Sequence, residues 1–195
     1  MRAAAAPLVG PNAVIRTGLA LTALAGRAAA RAVYLRAGRP DWLDAPPTAM
    51  TPQDDAAALF AALRAERPGD WRAVAALSGR MTADYLLANR IPALARLALR
   101  AAPPRLAARL LVAAIGRNAW TFAGSGGFEA AAGDPTVLRI AANPLAQPGC
   151  PWHVAVFETL FRRLVSAQAR VSHPACCGRG DAACVFHVAL RGGKD

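Results

Sequence analysis

Residues able to hold a soft metal ion crowd into the end of the chain. All four cysteines of the 195-residue sequence, Cys150, Cys176, Cys177 and Cys184, lie in its last quarter, and two of its three histidines, His153 and His173, fall between them. Thiolates and imidazoles gathered around tight turns are what a tetrahedral zinc site requires. The spacing selects Cys150, His173, Cys176 and Cys184 as the expected ligands. Cys177 is then the spare thiol, and His153 is the competing nitrogen ligand through a Cys-x-x-His spacing. Two plainer readings compete with the metal: cysteines as small buried apolar residues, and disulfides, for which the secretory context is missing.

The elements that must position these side chains follow from local pattern. Residues 168–173 and 183–190 read as short strands, and Cys177-Gly178-Arg179-Gly180-Asp181 between them is dense in turn residues. A β-hairpin results, with Cys176 near the end of one strand and Cys184 near the start of the next, and with Pro174 turning the chain after His173. Side chains alternate along a strand, so Cys184, Phe186 and Val188 share a face and His187 points away from it. Cys150 comes from the loop before a helix over 152–165, whose apolar stripe carries Phe157, Leu160, Phe161 and Leu164, with His153 on the same stripe. Glu158 and Arg162 are spaced for a surface ion pair. Upstream, 128–131 and 136–141 read as two strands around Ala132-Gly133-Asp134-Pro135.

The run from Cys150 to Phe186 resembles the four-vinyl-reductase domain, a small-molecule-binding module related in fold to the Bet3 subunit of a vesicle-tethering complex. That module carries a cysteine before a helix, then Glu-x-x-Cys, a glycine turn and Cys-x-Phe. Here these positions are Cys150, His173 in place of the Glu, Cys176, Cys184 and Phe186. In phenol-sensing regulators with this domain the corresponding residues form a zinc cage. Asn143-Pro144, Cys150-Pro151-Trp152-His153, Val156-Phe157-Glu158 and Cys176-Cys177 carry a closer resemblance to the bacteriochlorophyll 4-vinyl reductase family. The resemblance spans nearly the whole chain and is sharp after about residue 118. It implies an α+β fold of the four-vinyl-reductase/Bet3-like type, with a helical N-terminal half (1–117) packed on a small antiparallel sheet (118–192). It also implies a vinyl-bearing magnesium chlorophyllide or protochlorophyllide as ligand or substrate, contacts with other bacteriochlorophyll-biosynthesis enzymes, and a homodimer. His153, Trp152, Phe157, Phe128, Arg105 and Arg109 are the candidate ligand-binding residues. They would lie on the sheet face opposite the helical half, near Phe122 and Ile140, with His153 toward the magnesium and an arginine toward the propionate. Zinc, held by four protein ligands, would be structural.

The helical half is read from caps and breakers. The first dozen residues, with Pro7 and Pro11, read as a loose arm, and 13–37 as one helix. Arg2 and the apolar middle of that helix imitate a signal peptide. However, Arg16, Arg27, Arg31 and Arg36 interrupt every apolar run short of the roughly 18 residues a span needs. A cytoplasmic chain is expected, where thiols stay reduced. Thr51 and Asp70 are expected to cap helices, and Pro92 and Pro103-Pro104 to break them.

The net charge is +11, and Lys194 is the only lysine among the 23 basic residues. No nucleic-acid motif accompanies this arginine excess, so no nucleic-acid partner is expected. Between Asp84 and Glu129 there is no acidic residue but there are arginines at 90, 96, 100, 105, 109 and 117. Interleaved leucines make this stretch either a solvated face or an edge that meets carboxylates or an acidic membrane surface, placing the protein peripherally at the inner or photosynthetic membrane. There is no dinucleotide fingerprint, since Gly124-Ser125-Gly126-Gly127 leads toward a strand rather than opening a helix. The expected function is therefore an accessory or carrier that binds the intermediate for 8-vinyl reduction. The reductase itself and a Bet3-like scaffold are the alternatives.

Overall fold

The computed structural model describes residues 6–190; Arg2 and the last two positions of the expected 118–192 part lie outside them. The described residues form seven α-helices and six strands in an α+β arrangement, as the sequence leads one to expect. Helices α1 (Asn12–Arg36), α2 (Gln53–Glu66), α3 (Trp71–Asn89), α4 (Ala93–Ala101), α5 (Pro104–Arg117) and α6 (Trp120–Ala123) precede the main sheet, and α7 (Pro151–Leu164) lies within it in sequence. The breaks before α4 and α5 fall at the prolines, which lack an N–H and fix φ.

Several local expectations give way to tertiary contacts. The arm is not loose where it is described: β1 (Leu8–Val9) pairs antiparallel with β2 (Thr51–Pro52), and the Gly10 N–H donates to the Thr121 carbonyl at 2.6 Å. Thr51 therefore does not cap α2; it sits in β2 with its hydroxyl 3.4 Å from the Val9 carbonyl. Asp70 does not cap α3 either, because its carboxylate is held by Arg67. The single helix expected over 13–37 is bent sharply at Gly26 (φ 83°, ψ 163°), a conformation open to a residue without Cβ. The second half folds back on the first. The Tyr34 hydroxyl donates to the Val14 carbonyl at 2.6 Å, and its ring end lies where a Cβ on Gly18 would be.

The main sheet is antiparallel in the order β3 (Gly127–Ala131), β4 (Thr136–Ala141), β6 (Ala183–Ala189), β5 (Arg170–Ala175). Leu138 and Ile140 of β4 and Cys184, Phe186 and Val188 of β6 form its buried face. Helix α7 covers that face with Phe157, Leu160, Phe161 and Leu164, and its other side crosses α3. The crossing is close: a Cβ added at Gly79 of α3 would overlap the Trp152 carbonyl and the Ala155 methyl. Thr17 of α1 and Ser78 of α3 share a buried hydrogen bond of 3.0 Å, so the order is sheet, α7, α3, α1. Glu158 does more than pair with Arg162 at 3.6 Å; it also accepts the Val171 N–H at 3.1 Å and ties α7 to β5. No helix among the described residues is long and apolar enough to cross a membrane.

Candidate metal and ligand site

Cys150 is delivered by strained backbone. Gly149 has φ 83° and Cys150 itself has φ 43° just before Pro151 opens α7. A non-glycine residue in that region costs on the order of 1–3 kcal/mol and persists only where its surroundings hold it. The hold is visible: the Cys150 N–H donates to the Gln147 carbonyl at 2.7 Å. The turn of the β5–β6 hairpin presses on the same loop, where a Cβ on Gly178 would overlap Gln147 and Pro148.

The hairpin supplies the other three residues. Pro174 does not turn the chain out of the strand. Instead β5 continues to Ala175, and its register against β6 skips between Ser172 and Ala175. One extra residue on one strand is a β-bulge, which re-aims the side chains beside it. His173 lies flat on Phe186, with centroids 4.3 Å apart and planes 9° apart. The Cys176 N–H donates to Asp181 at 2.7 Å, and Arg179 donates to the His173 and Pro174 carbonyls, which fastens the turn.

Cys150, His173, Cys176 and Cys184 present ligand atoms all within 4.8 Å of one another. The Cys150 sulfur is 3.6 Å from that of Cys176 and 3.5 Å from that of Cys184. A tetrahedron with metal–sulfur bonds of about 2.3 Å has sulfur–sulfur edges of about 3.8 Å, so the donor set has nearly the dimensions of a zinc site. The His173 ring is oriented for the same role. Its Nδ1 lies 2.8 Å from the Val185 carbonyl, while its buried Nε2 has no partner. A proton on Nδ1 leaves the Nε2 lone pair free, the arrangement in which a backbone carbonyl orients a ligating imidazole.

Electrostatics follow the same geometry. Hydrogen bonds to the Cys184 sulfur, from the Cys150 thiol first and then from the Asn143 amide at 3.4 Å and the Cys177 N–H at 3.3 Å, hold its pKa well below the usual thiol range. The hydrogen bond to the Cys184 sulfur, then burial and the Cys184 charge, push the Cys150 thiol up. Burial alone would lower His173, but the Cys184 and Cys176 sulfurs and the Val185 carbonyl raise it overall. All four cysteines are free thiols; Cys177 stands aside, half-buried, with its sulfur 3.9 Å from the Ile140 carbonyl.

His153, one turn into α7, is not at this cluster but in an aromatic nest beside it. Its ring is 4.8 Å from Trp152, 5.9 Å from Phe186, 6.3 Å from Phe157 and 6.5 Å from Phe122, and Phe128 stacks edge-on against Phe122 at 5.4 Å. His153 is fully buried, neither ring nitrogen has a hydrogen-bond partner, and burial lowers its pKa to about 4. The Trp152 indole N–H is likewise unpartnered. These rings fill the space between α7 and the sheet, and only Phe122 and Phe128 are partly exposed. Arg105 and Arg109 are not brought to the nest: both are exposed on α5, whose buried residues are Ala107, Ala108, Leu111, Val112 and Ile115.

Sequence reasoning placed Phe122 beside the ligand residues and Phe186 on the Cys184 face, and marked Asn143 only through the resemblance; it missed Asp181, which it read as a turn residue and which accepts the Cys176 N–H.

No family model matches the chain. It is 40% identical over 190 residues to the "Bacteriochlorophyll synthase 23 kDa chain" of Cereibacter sphaeroides, covering 94% of this chain and 91% of that protein. It is 39% identical over 193 residues to the protein of the same description from Rhodobacter capsulatus, covering 96% and 90%. Among solved structures it resembles an H-NOX protein from S. oneidensis in the Fe(II)NO ligation state, with TM-score 0.58, 9% identity and coverage of 94% and 99%. It also resembles an H-NOX family structure from work on heme distortion, with TM-score 0.58, 10% identity and coverage of 93% and 95%. At those identities the likeness is one of fold. The two relatives share two-fifths of the sequence over almost its full length, and the chain belongs with them to the bacteriochlorophyll synthase 23 kDa chain family of bacteriochlorophyll biosynthesis.

Proposed function

We propose that this protein binds a vinyl-bearing magnesium tetrapyrrole of bacteriochlorophyll synthesis and presents it to the enzymes that act on it, as an accessory to vinyl reduction. The observation that carries this reading is His153: wholly buried, walled by aromatic rings, and without a partner on either nitrogen. A buried polar atom left unpaired costs about 1–3 kcal/mol. Neutral imidazole is a common metal ligand, and burial keeps this one neutral. A flat macrocycle wants apolar walls with a few placed polar groups, and its entry would require Phe122 and Phe128 to move aside. One of the two H-NOX structures of similar fold is described in terms of heme distortion, which is compatible with a tetrapyrrole ligand.

The three cysteines and His173 would hold one zinc ion, and with four protein ligands that ion is structural. It would fasten the hairpin to the first residue before α7, one turn from His153. A complete reductase would need a donor site, and the Gly124–Gly127 run leads into β3 rather than opening a helix, so the reductase reading ranks second. The same reading places the chain in the cytoplasm, in contact with other enzymes of the pathway, as the description of its relatives as a synthase chain suggests. The test is absorbance titration with chlorophyllide of wild type, His153→Ala and Trp152→Ala. Saturable wild-type binding that both variants weaken supports the reading. Unchanged affinity in both variants, or no wild-type binding, contradicts it.

A further inference from the structure

Helix α4 is unlike the other long helices: none of its residues is buried. Leu94 and Leu97, on one side of it, are 81% and 64% exposed. What holds α4 to the body is on another side. Arg96 donates to the Leu87 carbonyl at 2.7 Å and Arg100 to the Arg163 carbonyl at 3.0 Å, in the last turns of α3 and α7, where the helix dipole favours a cation. Leu99 packs on the core beside them. Arg96 and Arg100, two of the arginines expected to meet an anionic surface, are therefore tied to the body, and Leu94 and Leu97 are what α4 shows outward.

The next helix continues the pattern. Leu106 and Leu110 lie one turn apart on the side of α5 away from its buried residues and, with Trp120 just beyond the helix, are each about half exposed. Arg105, Arg109 and Arg117 lie on the same helix as Leu106 and Leu110, Arg90 lies at the end of α3 shortly before α4, and all four are exposed. None of the arginines of this stretch forms an ion pair among the described residues, and no carboxylate occurs from 85 to 128.

We propose that the outer faces of α4 and α5, with Trp120, dock on an anionic lipid surface. Leu94, Leu97, Leu106 and Leu110 enter the headgroup–acyl boundary, and Arg90, Arg105, Arg109 and Arg117 meet lipid phosphates. Exposed leucines interleaved with cations are the composition of helices that lie in the membrane interface, and tryptophan suits the same depth. A second copy of the chain fits poorly, since it would bring the same uncompensated arginines face to face. The pigment site and this surface share no residue, so either can fail without the other.

The experiment is co-sedimentation of the full chain with vesicles of phosphatidylcholine, alone or mixed with phosphatidylglycerol. Wild type is expected to bind the mixed vesicles only, more weakly as salt rises, with a blue shift of tryptophan emission that Trp120→Phe abolishes. The double variant Leu94→Ser/Leu97→Ser is expected to bind roughly tenfold more weakly or worse, from the apolar area lost, with an unchanged melting temperature because neither side chain is in the core. Equal binding to both kinds of vesicle, binding to neither, or undiminished binding by the leucine variant overturns the proposal. So does light scattering that shows a wild-type dimer converted to monomer by the same two substitutions.

Discussion

Replacing Cys184 with serine tests the proposed metal site at its most connected atom. The Cys184 sulfur faces the Cys150 sulfur at 3.5 Å and accepts from Asn143 at 3.4 Å and from the Cys177 N–H at 3.3 Å. A hydroxyl keeps the volume but is a poor zinc ligand. Structural zinc in small peptides contributes on the order of 10–16 kcal/mol of apparent binding free energy, which acts as folding free energy. Part of the cage is held without metal by the β5–β6 ladder and the α7 core, so about a third of that, roughly 5 kcal/mol, is a reasonable loss. For a chain of this size 1 kcal/mol is about 2–4 °C in Tm, so the expected drop is about 10–20 °C. The assay pairs elemental analysis of freshly purified protein with thermal unfolding, with and without chelator. Wild type should carry one zinc per chain and lose stability to chelator, and Cys184→Ser should be metal-poor and indifferent to it. Cys177→Ser, whose sulfur is half-buried and outside the cage, should retain zinc and lose no more than about 1 kcal/mol. Metal-free wild type, or equal stability of wild type with and without chelator, would refute the reasoning.

The buried His153 predicts a specific pH dependence. Its pKa falls from 6.5 to about 4 on folding, so the unfolded chain binds the proton more readily, and the stabilisation is complete above the unfolded pKa and lost as pH falls. Between pH 7 and pH 5 wild type should lose about 2 kcal/mol more than His153→Phe, measured by denaturant unfolding of both; parallel pH profiles would count against a buried neutral imidazole. Gly79→Ala should cost about 2–3 kcal/mol, because its Cβ meets the Trp152 carbonyl across the α3–α7 crossing, whereas Gly69→Ala, with open space around it, should be neutral within about 1 kcal/mol. Tyr34→Phe should cost about 1 kcal/mol by removing the buried hydrogen bond that closes the fold-back of α1, read as a lower denaturant midpoint; an unchanged midpoint would mean the bond stabilises nothing.

Much of the clustering of Cys150, His173, Cys176 and Cys184 was legible because their positions are fixed by local rules. Strand alternation put Cys184, Phe186 and Val188 on one face and His187 on the other, and the turn residues 177–181 closed the hairpin that brings Cys176 to Cys184. What alternation could not give was the aim of His173. That depends on a bulge at Pro174 and on stacking over Phe186, both consequences of pairing with β6. The left-handed backbone of Cys150 was equally hidden, because it is held by a hairpin turn some thirty residues away in sequence. Capping failed as a guide at Thr51 and Asp70 because each found a nearer partner, a strand in one case and Arg67 in the other. The arginine-rich stretch was visible as charge. Which of its arginines face outward was not, since that is decided by the carbonyl ends of α3 and α7.

The central claim, that a magnesium tetrapyrrole docks against His153, is tested most directly by comparing a macrocycle with and without its metal. Chlorophyllide and magnesium-free pheophorbide share walls, carboxylate and shape, and differ in the atom that an imidazole would ligate. Wild type is expected to bind chlorophyllide roughly tenfold more tightly or better, from one additional ligand bond at a buried site. That preference should vanish in His153→Ala with zinc content and fold retained. Equal affinity of wild type for the two macrocycles, or an undiminished preference in His153→Ala, would contradict the account.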